Sequence, residues 1–148
     1  MTDVMKEYTE FLKATSWYEH AHEDNAHEMM YLTLGLVGET GEFTDVLKKI
    51  VRIAGMVDRD RFQTELAKFK THEAAVKELG DVLWYLTRLA DFLGCTLEDI
   101  MVSNTFKLYN RMAEQPQSTL TDTPWPFSDP ALSYERFAKS KAFEEEVS

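Results

Sequence analysis

Two pairs of carboxylates stand at the same helical spacing in this chain of 148 residues. The first lies in Glu39-Thr-Gly-Glu42 and the second in Glu78-Leu-Gly-Asp81. Residues three positions apart project from the same face of a helix, so each pair can present two acids together. Acids that converge between helices repel one another, and a divalent cation removes that repulsion. Because all four are oxygen donors, the pattern favours a hard ion, Mg²⁺ or Mn²⁺, over zinc.

Both acid pairs lie next to the most apolar stretches of the sequence. Glu39 follows the run Tyr31–Val37, and Asp81 precedes the run Val82–Leu86. A glycine directly precedes the second acid of each pair, although glycine inside a helix costs about 1 kcal/mol relative to alanine. We therefore expect both stretches to line the core and the acids to face a space between packed helices. The alternative is that the acids belong to ordinary solvated helix faces, where this spacing is common.

A polar stripe further along the chain carries positive charge. Asn104, Lys107 and Arg111 fall at positions i, i+3 and i+7, so a helix would place them on one face. Such a stripe could clamp a polyphosphate, or it could be an ordinary solvated surface. Lys49 follows the first acid pair on the same helical stripe and could reach phosphate, or it could neutralise the neighbouring Asp45.

The elements that must position these residues are helices. The periodicity of the apolar residues predicts five of them before residue 114, over about residues 3–15, 25–55, 62–69, 73–92 and 96–112. Asn25 and Thr96 are expected to cap the second and fifth helices, and Gly55 and Gly94 to end the second and fourth. Loops are expected on both sides of the short third helix. The sequence therefore predicts an all-α protein.

The chain is predicted to contain one helical domain over residues 1–113. Residues 115–130 are rich in Pro, Ser, Thr and Asp, which favours an extended arm, and a short amphipathic helix is expected over 130–147. We expect this C-terminal arm and helix, residues 114–148, to pack on the same domain or on a partner subunit.

Composition limits the partners and the compartment. The formal net charge is −10, which argues against binding to a nucleic acid polymer. Cys95 is the only cysteine, so no intrachain disulfide can form. No apolar run approaches the roughly 20 residues that cross a bilayer, so no membrane partner is expected. These features predict a cytoplasmic protein, and they are compatible with a small phosphorylated substrate that metal ions accompany.

The acid pairs and the polar stripe together resemble the MazG-like family of all-α nucleoside triphosphate pyrophosphohydrolases. Three blocks carry the resemblance over about residues 25–113, and they are Leu34–Glu42, Lys77–Leu86 and the stripe from Asn104 to Arg111. The segment between the two acid pairs is longer than is usual in this family, because it carries the charged insertion Arg52–Thr71.

The resemblance implies a helical bundle that works as a dimer or tetramer. It implies a Mg²⁺-dependent hydrolase that splits a (deoxy)nucleoside triphosphate into a monophosphate and pyrophosphate. The acids implied as metal ligands and catalytic residues are Glu39, Glu42, Glu78 and Asp81. Asn104, Lys107 and Arg111 would contact the phosphates, with Lys49 as a further candidate. Either Glu39 or Glu42 would assist the attacking water.

Two other classes of protein are compatible with parts of the pattern. A non-catalytic helical interaction protein would use the acids structurally. A di-metal carboxylate bundle of the ferritin-like type would need Glu-x-x-His pairs on two helices. Only Glu19 and His22 show that spacing, in a polar connection.

Trp17 or Trp84 could stack on a nucleobase, although we expect both to pack in the core.

Overall fold

The computed structural model describes residues 3–55 and 58–113, and no strand occurs among them. The helices are α1 (Asp3–Ala14), α2 (Ala26–Ala54), α3 (Arg59–Ala67), α4 (Phe69–Phe92) and α5 (Leu97–Ala113). The predicted all-α class is therefore confirmed. The chain divides into two compact units, Met1–Gly94 and Cys95–Ser148, and each is described by itself. The predicted C-terminal arm and last helix lie outside the described residues, and the predicted domain limits stay a prediction.

The long helix α2 begins and ends where the sequence predicts. The side-chain oxygen of Asn25 accepts hydrogen bonds from the backbone N–H groups of His27 at 2.9 Å and Glu28 at 3.1 Å. At the other end Gly55 has a φ of 80°, in the left-handed region that favours glycine. Its N–H donates to the carbonyl oxygen of Val51 at 2.8 Å. Both ends of α2 are thus fixed by local chemistry.

The prediction of a loop between the third and fourth helices is wrong. Lys68 alone separates α3 from α4, with an extended ψ of 130°. The backbone N–H groups of Thr71 and His72 both donate to the carbonyl oxygen of Lys68 at 2.9 Å. No glycine or proline follows Lys68 before residue 73, so α4 begins four residues earlier than expected, at Phe69.

The apolar core of the first unit lies where α2, α3 and α4 meet. Val46 and Ile50 from α2 are buried with Ala75 from α4. Partly buried side chains from the three helices pack around them, namely Phe43, Leu47, Phe62, Leu66 and Ala74. The C-terminal half of α2 is thereby held against the N-terminal part of α4.

A buried ion pair joins the opposite ends of the same two helices. Arg88 Nη2 lies 3.1 Å from Glu28 Oε1, and the two side chains are only 3% and 1% exposed. Arg88 Nη1 also donates to Asp91 Oδ2 at 2.6 Å. Lys13 of α1 completes the chain of charges with its Nζ 2.7 Å from Asp91 Oδ1. Three helices are therefore tied together by charge at this end of the unit.

The loop before α2 folds around the carboxylate of Glu28. The Tyr18 hydroxyl donates to Oε1 at 2.8 Å, and the His22 and Asp24 backbone N–H groups donate to Oε1 and Oε2, each at 3.0 Å. His20, His22 and Asp24 have φ values of 65°, 66° and 49°. Non-glycine residues enter this left-handed region only when their surroundings hold them there. The Glu28 carboxylate holds His22 and Asp24 there by accepting hydrogen bonds from their backbone N–H groups.

The apolar stretches beside the acid pairs are only partly buried, which corrects the expectation that they line the core. Leu34 and Val37 of α2 are 64% and 66% exposed. Met30 lies on the same helical stripe and is also exposed. On α4 an equivalent exposed stripe consists of Val76, Leu79 and Leu83. Each helix buries the face that packs on its partner and leaves a second apolar face uncovered.

Among the described residues, no helix combines the length and the apolar character that crossing a membrane requires. The expectation of a cytoplasmic protein goes beyond this finding and stays a prediction.

Replacing Gly35 by alanine is expected to destabilise the protein, because a β-carbon there would lie 2.1 Å from Tyr85 Cε1. Overpacking costs about 1–3 kcal/mol, which outweighs the gain of ~1 kcal/mol in helix propensity. Gly38→Ala is the matched control, since among the described residues no atom beyond its chain neighbours and its own helix backbone lies within 4 Å of that β-carbon. Urea unfolding should show a lower free energy of unfolding for Gly35→Ala and a higher one for Gly38→Ala. Equal gains in both variants would contradict this packing.

Glu28→Gln is expected to lower the free energy of unfolding by roughly 3 kcal/mol at neutral pH, because Arg88 loses its buried partner. Burial tends to raise the pKa of Glu28, but its hydrogen bonds and Arg88 outweigh burial and hold the pKa below the usual 4.5. The charged carboxylate therefore stabilises the fold at any pH above its ordinary pKa of 4.5. This contribution is lost as the pH falls through the lowered pKa of the folded state. The difference between variant and wild type should shrink in acid, as measured by urea unfolding at several pH values. The exposed Glu7→Gln serves as control, and a gap that widened in acid would contradict the assignment.

Candidate active site

Three of the four predicted acids come together between α2 and α4. Glu39 projects from α2, and Glu78 and Asp81 project from one face of α4. One carboxylate oxygen from each lies within 4.8 Å of those of the other two. Glu39 and Glu78 are half-buried, whereas Asp81 is exposed. The packing of α2 on α4 therefore builds an acidic cluster, Glu39–Glu78–Asp81, from residues about 40 positions apart.

Repulsion inside the acidic cluster is visible at Glu39. Partial burial raises the pKa of Glu39, and the negative charges of Asp81, Glu78 and Glu42 raise it further. A cation among these oxygens would reverse both effects, since it replaces lost hydration and offsets the repulsion. Three carboxylate oxygens are the donor set that hard divalent ions such as Mg²⁺ and Mn²⁺ accept. The residues present therefore fit such an ion.

The fourth predicted acid, Glu42, stands outside the acidic cluster. It lies three residues beyond Glu39 on α2 and is exposed. Its charge still acts on Glu39, where it is the weakest of the three carboxylates that raise the pKa. Glu42 is thus close enough to share the electrostatics of the cluster without being part of its closest group of oxygens.

A cavity of about 310 Å³ lies against the acidic cluster. Glu39 and Asp81 form part of its lining. The rest of the lining is mostly aromatic and consists of Thr15, Trp17, Tyr18, Tyr31, Trp84 and Tyr85. Acidic and aromatic side chains thus share one concave site.

The aromatic side chains of this cavity contact one another. Tyr18 stacks on Tyr31 with ring centroids 4.2 Å apart and an interplanar angle of 17°. Trp84 meets Tyr85 edge to face at 4.7 Å, and Tyr31 lies 6.2 Å from Tyr85. Burial raises the pKa of Tyr18 and of Tyr85 to about 12, so both hydroxyls are protonated at neutral pH. We call these four rings the aromatic wall.

Trp17 does not pack in the core, which corrects the expectation from the sequence. It is 87% exposed, and its indole N–H donates to the carbonyl oxygen of Ala14 at 3.1 Å. A large apolar ring held at the rim of a cavity is available to a ligand. Trp84 is half-buried, edge to face with both Tyr85 and Tyr18.

Lys49 lies in a different part of the first unit. Its Nζ is 2.7 Å from Asp45 Oδ2, so it neutralises Asp45, as the second sequence-based alternative predicts. Contacts with Lys48 and Lys49 lower the pKa of Asp45 to about 2. Lys49 also lines a second cavity, of about 220 Å³, together with Lys70. In this structure it is engaged away from the aromatic wall.

The predicted phosphate-binding residues Asn104, Lys107 and Arg111 lie on α5, in the second unit, and all three are exposed. Thr96 starts that helix as predicted, because its hydroxyl accepts from Asp99 N at 3.1 Å while Asp99 Oδ2 accepts from Thr96 N at 2.8 Å. The helix and its polar stripe therefore form as expected, and the contact with phosphate stays a prediction.

Sequence reasoning missed the Glu28–Arg88 pair and three tyrosines of the aromatic wall. One signal was available for Glu28, since Asn25-x-x-Glu28 is a capping-box pattern, in which the acid reaches back toward the start of its helix. Here the carboxylate reaches further, to the N–H groups of Asp24 and His22. Nothing in the local sequence marks Arg88 as its partner.

The ferritin-like alternative finds no support in the site. The acidic cluster contains no histidine, and the one Glu-x-x-His pair considered, Glu19 and His22, lies in the loop before α2. His22 Nδ1 is 3.3 Å from Arg88 Nη2, so that ring nitrogen contacts a cation.

Fold and site together define an all-α protein with a carboxylate site that fits a hard divalent cation. Comparison with known families makes the class specific. The chain belongs to the MazG family, matching the MazG nucleotide pyrophosphohydrolase domain over residues 27–114. The matched region contains both acid pairs and the whole polar stripe of α5, which confirms the resemblance read from the sequence.

Two curated relatives extend over much of the chain. Gene 37 protein of Mycobacterium phage L5 is 36% identical over 88 residues, which cover 60% of this chain and 69% of the phage protein. Uncharacterized protein YvdC of Bacillus subtilis (strain 168) is 30% identical over 113 residues, which cover 75% of this chain and 94% of that protein. No solved structure matched the chain significantly.

Titration with Mg²⁺ or Mn²⁺ is expected to stabilise the wild-type chain against heat. At one hundred times Kd the rise in Tm should be roughly 5–10 °C. Glu39→Gln, Glu78→Gln and Asp81→Asn should each lose most of this rise, because each removes a ligand oxygen. Without metal, Glu39→Gln should be more stable than wild type at neutral pH, since it removes a repelling charge.

Glu73→Gln is the control for this experiment. Glu73 lies on α4 outside the acidic cluster and pairs with Lys77 at 3.1 Å. The metal-dependent rise in Tm should persist in this variant. If the three cluster variants kept the full rise as well, the acidic cluster would not be the metal site.

Proposed function

We propose that the chain hydrolyses nucleoside triphosphates to the monophosphate and pyrophosphate, with Mg²⁺ as its natural cofactor. The observation that carries the proposal is the acidic cluster, which lies inside the region that matches the MazG domain and borders the aromatic wall. Carboxylates suit an ion that also binds phosphates, and aromatic rings suit the base of the same nucleotide. The two halves of the cavity thus fit the two ends of one substrate.

The acids are proposed to divide the work among them. Glu39, Glu78 and Asp81 would hold Mg²⁺, and Mn²⁺ should be able to substitute because it accepts the same oxygen donors. When bound, the ion would polarise phosphoryl oxygens and make a coordinated water more acidic. Glu42 is exposed beside the cluster and outside its closest oxygens, which supports a role in accepting the proton of the attacking water.

The phosphate chain carries negative charge that the acidic residues cannot stabilise. Lys107 and Arg111 are proposed to neutralise the departing pyrophosphate, with Asn104 donating a hydrogen bond from the same stripe. Lys49 is a weaker candidate, since it would have to exchange Asp45 for a phosphate oxygen.

The base is proposed to bind against the aromatic wall. A volume of about 310 Å³ lies at the lower end of the range for small-molecule sites. Stacking of a base on an aromatic side chain contributes about 1–3 kcal/mol and tolerates every base. Trp17, exposed at the rim, has an indole face available for such stacking.

The active protein is proposed to be a homo-oligomer, a dimer or a tetramer. The exposed stripes of α2 and α4, which include Leu34, Val37 and Leu79, leave apolar side chains in contact with water. Contiguous apolar surface of this kind is typical of protein interfaces. A second copy of the chain would cover both stripes with the same kind of surface. The same stripes are also what a non-catalytic helical interaction protein would present.

Incubation with a panel of deoxy- and ribonucleoside triphosphates and Mg²⁺ tests the proposal, with pyrophosphate and orthophosphate measured separately. Pyrophosphate should be the product. Asp81→Asn should reduce turnover to background, and Glu42→Gln should lower kcat by about 10²-fold or more, the usual contribution of a proton-accepting group.

The control variant, Glu73→Gln, should keep the wild-type rate. Orthophosphate as the product would mean cleavage at the terminal phosphate and contradict the proposal. No turnover of any nucleotide by a folded chain that binds Mg²⁺ would favour the interaction protein instead.

A further inference from the structure

We propose that Glu28 and Arg88 are positioning residues, which fix the loop of residues 18–24 and thereby hold Tyr18 in the aromatic wall. The inference rests on the proposed function, because the wall matters only if a nucleotide binds there. Neither charge belongs to the acidic cluster or to the lining of the cavity, although Glu28 accepts a hydrogen bond from Tyr18, which lines it.

Stability alone does not account for this pair. Burying two charges costs several kcal/mol each, and replacing such a pair with apolar side chains of similar size is often neutral or stabilising. Arg88 adds a further cost, because its Nε is buried with no hydrogen-bond partner among the described residues. A buried pair that apolar side chains could replace together at little cost in stability is better explained by the geometry it imposes.

The geometry it imposes is that of the loop before α2. The Glu28 carboxylate accepts from the Tyr18 hydroxyl and from the backbone N–H groups of His22 and Asp24, at distances of 2.8 to 3.0 Å. His22 and Asp24 are themselves in the left-handed region. Only an acceptor with two oxygens can serve all these donors together with Arg88. Arg88 keeps that carboxylate charged and in place, since its Nη2 is 3.1 Å away.

The loop in turn positions the Tyr18 ring in the aromatic wall. Tyr18 is anchored through its hydroxyl to Glu28, while its ring stacks on Tyr31 and meets Trp84 edge to face. All three rings line the cavity that contains Glu39. A shift of the Tyr18 hydroxyl would therefore move the surface on which a base would stack, and leave the metal ligands where they are.

The expected signature is a change in KM without an equal change in kcat. Tyr18→Phe removes the hydroxyl that donates to Glu28 and contacts Arg88, and keeps the ring. It should raise KM by roughly three- to tenfold, the equivalent of one lost hydrogen bond. The double variant Glu28→Leu/Arg88→Met replaces both charged residues with apolar side chains of similar size. Its KM should rise further, by an order of magnitude or more, while kcat changes less than about twofold.

The matched control is Lys13→Met. It breaks the outer pair with Asp91 but leaves the bond between Arg88 and Asp91, and the Glu28 carboxylate, untouched. Both KM and kcat should stay at the wild-type values. Hydrogen exchange of the His22 and Asp24 amides, followed by NMR without nucleotide, reports the loop itself. These amides should lose protection in the double variant and keep it in Lys13→Met.

The outcomes separate this inference from the proposed function. A wild-type chain that releases no pyrophosphate overturns the proposed function, whatever the amides show. An active wild type with unchanged KM in a folded double variant overturns the positioning role alone, and leaves Glu28 and Arg88 as structural. If the double variant does not fold, Tyr18→Phe decides: a raised KM supports the inference, and a wild-type KM overturns it.

Discussion

The antiparallel packing of α2 against α4 is the constraint on which the rest of the first unit depends. At one end Ile50 packs with Ala75 in the apolar core, and at the other Glu28 pairs with Arg88. Between these two anchors the helices cannot slide, so the register is fixed over the whole length. The acids of the middle section meet because both ends are held.

This arrangement explains how the chain tolerates mutually repelling acids. Partial burial raises the pKa of Glu39, and the charges of the neighbouring acids raise it further. Two helices joined only at that point would separate to let water and counterions in. Apolar burial on one side and a hydrogen-bonded ion pair on the other oppose that separation. A divalent cation that fits the cluster would relieve that repulsion.

Local chemistry made much of this architecture predictable from sequence, and non-local pairing limited it. Asn25 and Gly55 fix the ends of α2 by hydrogen bonds to residues within four positions, so the local sequence is enough to predict both ends. The acid pairs were recognisable from their helical spacing, although only a structure could separate Glu42 from the other three. The Glu28–Arg88 pair joins residues 60 positions apart, and although the capping-box pattern marks Glu28, nothing in the local sequence marks Arg88 as its partner.

The contact between Gly35 and Tyr85 has a consequence for redesign and for natural variation. The ring lies so close to the α2 backbone that no side chain fits beneath it. The residue tolerated at one of these two positions therefore depends on the residue at the other. A smaller side chain at position 85 would make room for a larger one at position 35. Compensating exchanges of this type would reshape the lining of the cavity beside the acidic cluster, where Tyr85 lies.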